Sequence, residues 1–324
     1  MGLPSANALW LGDVRLRLTR PICGIFGHFS TPEQNPALGV LSTPAHPQVT
    51  QTVSPLKANL VNENNKIKRN TAIYIIGVLL LSSIGGLITI AGNQIGGLIL
   101  VISPILMAVL LRSFGSDGWE DAGLRLNLKE HWRWYLFSLL VYPVAIVIVI
   151  VLGVMLGLTS INADWNTLLP ALIPGIAGQF ITRTLFAMFE EWGWRGYLEP
   201  RLLALGVPDL RRHLLVGLVW AIWHFPLILS TDYTNIPYAI FLPLFVVGVT
   251  ISAIVYGQLR KASKTVWTSV LMHGIANAVA WAIIQDNSIT FNNKLFAYCT
   301  PESIIMILLF SPLAFWMLYK RKAG

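Results

Sequence analysis

The chain has 324 residues, of which 55% are hydrophobic and only 12% charged, and its mean hydropathy is +0.63. An average soluble protein carries about 25% charged residues. The composition therefore excludes an ordinary soluble enzyme, a disordered chain and a disulfide-built mini-protein, and it leaves an all-α, multi-spanning helical membrane protein. The net charge of +8 would suggest nucleic acid in a soluble protein. In a membrane protein it marks cytoplasmic loops, so no nucleic-acid partner is expected.

Residues 1–65 differ from the rest. They are rich in Pro, Ser, Thr, Asn and Gln and hold no run apolar enough to span a bilayer of about 30 Å. Arg15, Arg17 and Arg20 interrupt the one apolar patch, so it does not read as a secretory signal. The stretch is expected to be a disordered N-terminal extension: a cytoplasmic tail, a start assigned too far upstream or, less favoured, a transit peptide. Residues 66–324 are expected to form the membrane-embedded domain. Cys23 and Cys299 lie far apart, in no CxxC or metal-type spacing.

From about residue 70, apolar runs recur between short polar breaks, at roughly 71–91, 95–111, 134–158, 168 to past Glu190, 213–229, 238–258, 265–284 and 302–319, or about eight spans. Gly153 and Gly157 form a GxxxG pair in the third, a pattern that permits close helix contact. Basic residues test the division. Lys57, Lys66, Lys68 and Arg69 precede span one. Arg112, Arg125, Lys129 and Arg133 follow span two, and Arg195, Arg201, Arg211 and Arg212 follow span four. Arg260, Lys261 and Lys264 follow span six, and Lys320, Arg321 and Lys322 follow span eight. The opposite loops hold Lys294 alone. This alternation places both termini in the cytoplasm, and the protein is expected in the cell (inner) membrane.

Ionisable groups inside spans cost at least about 2.5–3.5 kcal/mol each and need reasons. Span four carries Arg183, Glu190, Glu191 and Arg195; span five carries His224; span seven carries His273 and Asn277. Glu190 lies ten residues before Pro200, which is expected to stop its helix; His224 lies twelve after Arg212 and His273 nine after Lys264. All three therefore sit about 13–18 Å from the basic helix ends, in one polar layer expected to be reached by water from the cytoplasmic side. Glu191 and Arg195 are an i, i+4 pair, as are His273 and Asn277, whereas Glu190 is turned about 100° from Glu191. Trp220 shares a face with His224 and is expected to pack beside the imidazole. Each residue alone has a plainer reading: a structural ion pair for Glu191–Arg195, an interhelical hydrogen bond for Asn277, snorkelling or a loop carboxylate partner for Arg183. Their joint occurrence exceeds what packing requires.

A Glu in a low-dielectric pocket takes a proton from water more readily than one in bulk solvent, and a neighbouring His relays it. A second His and an Asn can donate to a developing oxyanion. Water, base and oxyanion donors describe amide hydrolysis without a covalent intermediate. The chain has no HExxH zinc helix, no GxSxG elbow and no GxGD aspartyl pair.

The stretch Glu190-Glu191-Trp192-Gly193-Trp194-Arg195, read EExxxR, the pair Trp220-x-x-x-His224, where FxxxH is usual, and His273-x-x-x-Asn277, read HxxxN, resemble the three motifs of the CPBP intramembrane proteases. These are the CAAX prenyl-protein endopeptidases and bacteriocin-processing relatives. The resemblance covers 175–285. It implies a glutamate-type membrane endopeptidase with no cofactor: Glu190 activates water with help from His224, His273 and Asn277 form the oxyanion hole, and Glu191 and Arg195 support the site. The substrate would be a membrane-associated peptide, prenylated or leader-type. Three other readings stay open: a zinc set of Glu190, His224 and His273 with an open position, a proton-coupled transporter, and a non-catalytic scaffold or bacteriocin self-immunity protein.

Overall fold

A computed structural model of the chain describes residues 53–285 and 288–319. These residues belong to one compact unit, almost wholly helical. The helices are α1 Val53–Ile90, α2 Ile95–Phe114, α3 Leu128–Met155, α4 Trp165–Gly193, α5 Glu199–Ala204, α6 Asp209–Ser230, α7 Tyr238–Ser263, α8 Trp267–Gln285 and α9 Ile304–Tyr319. The chain is an integral multi-pass membrane protein. Among the described residues seven helices are long and apolar enough to cross a bilayer, α4 running on through α5 as one of them; α9 is a shorter apolar helix of 16 residues. Large apolar side chains such as Leu80, Leu87 and Ile181 point outward, where lipid and not water would cover them.

Four sequence expectations shift. Helix α1 begins at Val53, inside the stretch assigned to a disordered extension. Pro55 sits in its first turn, where a missing N–H leaves no bond unmade. Residues 1–52 and the basic cluster Lys320–Lys322 lie outside the described residues. The GxxxG pair does not act as one: Gly157 takes φ +70°, after the end of α3, a left-handed conformation favourable to glycine. Two three-residue strands, β1 Thr159–Ile161 and β2 Ile289–Phe291, pair antiparallel with Ser160 opposite Thr290, tying the α3–α4 and α8–α9 connections together.

The fourth concerns Pro200, which does not stop its helix. The chain passes from α4 through a π-helical turn, Trp194–Leu198, into α5. Proline at position 200 denies the Gly196 carbonyl its α-helical donor and crowds it, and the wider turn accommodates the ring. The Arg112 guanidinium, 3% exposed, donates to that freed carbonyl. Pro104 in α2 poses the same problem one helix away. There the Ser103 hydroxyl donates to the Leu100 carbonyl at 2.8 Å and accepts the Trp223 indole N–H at 2.9 Å. Trp223 precedes His224, so satisfying a proline kink in α2 also pins α6 beside the polar layer. Buried backbone acceptors need such partners because nothing in the interior replaces water.

α4 packs chiefly against α8 and α2, and α6 against α7 and α1. The close approach of α4 and α8 depends on Gly274: a Cβ there would stand 2.8 Å from the Thr184 Cα and 2.4 Å from its hydroxyl. Glycine lets the two backbones meet one residue from His273.

Candidate active site

α4 presents Glu190 and Glu191 on successive positions. Their side chains diverge, as the 100° step requires. Glu191 is fully buried, 0% exposed, and turns toward Arg195, also 0% exposed. One Glu191 oxygen, Oε1, accepts from Arg195 Nη1 at 3.0 Å and from His273 Nδ1 at 3.0 Å. The guanidinium lies 4.5 Å from the Trp220 ring and 4.6 Å from the Tyr256 ring, two contacts that stabilise a desolvated cation. Glu191 Oε1 is the shared acceptor of the ion pair with Arg195, so the Nδ1 of His273 is the donor and its Nε2 faces the opposite way.

That Nε2 lies 4.0 Å from Glu190 Oε1, room for a small shift or a bridging water. The other Glu190 oxygen, Oε2, accepts the Trp220 indole N–H at 2.8 Å. His224 sits one turn further along α6. Its Nδ1 meets the Trp220 carbonyl at 2.9 Å; a carbonyl only accepts, so Nδ1 carries the hydrogen and Nε2 is left for other chemistry. His224 is boxed by Trp223, at 4.7 Å between centroids, and Phe245, at 5.3 Å.

Glu190, His224, His273 and Asn277 all line one cavity of about 400 Å³. The structure thus brings together the four residues the sequence singled out, with Glu191 and Arg195 directly behind them. Trp220 does more than pack beside an imidazole: it holds Glu190. Arg183 also lines the cavity. It pairs with no carboxylate, from a loop or elsewhere, among the described residues; it lies 4.1 Å from the Trp281 ring, and its Nε donates to Gln179 at 3.3 Å. The runner-up zinc set is not assembled, since among the described residues no three His, Cys, Asp or Glu side chains converge as metal ligands.

The cavity that holds Glu190 does not open toward the basic helix ends, the side from which access was expected. The cavity runs from Glu190 toward the connections that follow α6 and α8, whose Tyr233, Asn235, Lys294, Thr300 and Glu302 complete its wall. At the basic end a separate cavity of about 460 Å³ reaches Arg195, Glu199 and Arg212 but not Glu190, and the polar groups around it are paired. Arg112 pairs with Asp121, Arg201 reaches Asp117 and Asp121, the Tyr197 hydroxyl donates to Asp117 at 2.6 Å, and Trp194, Tyr197 and Leu198 are wholly buried.

Two contacts carry signals that the sequence did not expose. Glu191 to His273 and Trp220 to Glu190 each join different helices, and only the relative rotation of those helices decides them.

Comparison with known proteins adds a family. Residues 178–279 match the family described as Type II CAAX prenyl endopeptidase Rce1-like. A protein of Methanococcus maripaludis named CAAX prenyl protease 2 is 31% identical over 121 residues, which cover 35% of this chain and 44% of that protein. The chain thus aligns with under half the length of this curated relative. The matched stretch contains Glu190, Glu191, Arg195, Trp220, His224, His273 and Asn277, and over it the chain is similar to the Rce1-like type II CAAX prenyl endopeptidases.

Proposed function

We propose that the protein is an intramembrane endopeptidase in which Glu190 activates the water that attacks a peptide carbonyl. One observation carries the reading: Glu190, His224, His273 and Asn277 converge on a single cavity at the depth of the bilayer, with Glu190 Oε1 4.0 Å from His273 Nε2. Water between these groups gives its proton to Glu190 as its oxygen bonds to the carbonyl carbon. The free Nε2 of His224 accepts a hydrogen bond from the same water and orients it. The oxyanion that forms on the carbonyl oxygen receives donors from His273 and Asn277. Collapse of the tetrahedral intermediate breaks the C–N bond, and the proton held by Glu190 passes to the departing amine.

Glu191 and Arg195 serve this chemistry indirectly. Glu191 accepts from Nδ1 and orients the ring, so that Nε2, when it carries a hydrogen, points at the oxyanion. Arg195 holds Glu191 in place through the ion pair. The substrate class is a membrane-associated peptide, with the CAAX type favoured by the name of the archaeal relative.

The test is cleavage of farnesylated and plain peptides by purified protein in lipid bicelles. Glu190→Gln is expected to lower kcat at least ~100-fold, the scale of a lost general base, and His224→Ala and His273→Ala should be similarly impaired while eluting as the folded species. Full activity in Glu190→Gln would refute the mechanism.

A further inference from the structure

Arg183 is the cavity residue that this mechanism leaves without work. A cation within a span is expensive, and this one is held in place without being neutralised. Trp281 supports one face of the guanidinium at 4.1 Å and Gln179 takes its Nε hydrogen, while among the described residues no carboxylate pairs with it. The two terminal nitrogens are left to serve as a fork, a geometry that matches a carboxylate bidentately. Arg183 precedes Glu190 by seven residues on one continuous helix. Seven residues are two turns, so both side chains share a face, about 10 Å apart along the axis. An extended peptide covers about 10 Å in three residues.

Resting on the endopeptidase reading, we propose that Arg183 is a carboxylate-binding subsite that holds an anionic group of the substrate three residues beyond the scissile carbonyl. The carboxylate comes either from the free carboxyl terminus of the peptide or from an acidic side chain at that position. The rest of the wall is consistent with this. Phe186, Leu227, Ala280 and Ile284 line the cavity and suit apolar side chains in between. Glu302, a second acid in the wall and 5% exposed, would repel an incoming carboxylate if charged; burial pushes its carboxyl above the ordinary range, which favours the neutral form. The cavity's other cation, Lys294, lies over the Tyr298 ring at 5.3 Å and is the internal competitor for the role.

The experiment separates binding from cleavage. Trileucine as the free acid, trileucine amide and Leu-Leu-Glu amide are titrated by calorimetry against the full-length Glu190→Gln protein in bicelles, alone and combined with Arg183→Gln, Arg183→Lys or Lys294→Gln. The free acid is expected to bind at least ~10-fold more tightly than its amide, the scale of a charge-assisted pair. Arg183→Gln should abolish the difference, Arg183→Lys should retain part of it and Lys294→Gln all of it. Tighter binding of Leu-Leu-Glu amide than of trileucine amide assigns the acidic side chain as a source; no gain assigns the carboxyl terminus. Equal binding of acid and amide, absence of binding by either, persistence of the preference in Arg183→Gln, or its loss in Lys294→Gln alone would overturn the assignment. Unimpaired cleavage by Glu190→Gln would instead sink the endopeptidase mechanism and leave the binding result standing.

Discussion

At position 220 the family motif usually carries phenylalanine, and here a tryptophan changes what the residue does. Its ring still fills the space between His224, His273 and Arg195, as an aromatic of either kind would. Its indole N–H, however, donates to Glu190 Oε2 at 2.8 Å, which leaves Oε1 as the oxygen turned toward His273. A phenylalanine cannot make this bond. The Trp220→Phe variant should therefore fold, keep KM and lose about tenfold in kcat, the size of one hydrogen bond to a charged acceptor. Steady-state kinetics of the purified variant on one peptide measures this split. An unchanged kcat would show that Glu190 keeps its orientation without the indole.

At the scale of the element, the position of His273 depends on how closely α8 approaches α4. Gly274 sets that distance, because any Cβ at this position meets Thr184 backbone at 2.8 Å. Gly274→Ala is expected to force the two helices apart by a fraction of an ångström, lower stability by about 1–3 kcal/mol through overpacking and cut kcat/KM by at least ~10-fold, since small displacements of positioned groups are costly. Thermal unfolding in bicelles and peptide kinetics check the two effects, and restoring space with Gly274→Ala/Thr184→Ala should recover part of both. The same helix pair shows which features were legible in the sequence. Glu191 with Arg195 and His273 with Asn277 each lie on one helix, so spacing alone placed them together. Depth was legible too, because it follows from counting residues to a basic helix end. The Glu191–His273 bond spans 82 positions and depends on how two helices are rotated about their own axes, which no periodicity encodes when both faces of a helix are apolar. Pro200 misled for a related reason. Proline ends a helix only if the carbonyl it frees has no other donor, and Arg112, 84 positions away, supplies one.

Across the whole molecule, charge and cavity point to opposite ends. The helix ends that meet between α2 and α3, between α5 and α6 and between α7 and α8 carry the basic residues, whereas the cavity is walled at its far end by the connections after α6 and α8, in which Lys294 is the single basic residue. If the basic face is cytoplasmic, the cavity faces away from the cytoplasm, and a peptide meets Glu190 from that far side. Single cysteines test this in a background lacking Cys23 and Cys299. Asn235, exposed on the cavity wall, and Arg125, exposed on the basic face, are each replaced by cysteine and treated with a membrane-impermeant maleimide. In intact bacterial cells Asn235→Cys should be labelled, and Arg125→Cys only after permeabilisation. In the purified protein a bulky maleimide on Asn235→Cys should also slow peptide cleavage several-fold, because the adduct occupies the approach to Glu190, whereas the same adduct on Arg125→Cys should leave the rate unchanged. The reverse labelling pattern would place the basic face outside and return the cavity to the cytoplasm. Equal inhibition from both positions would mean that peptides do not approach along the cavity at all.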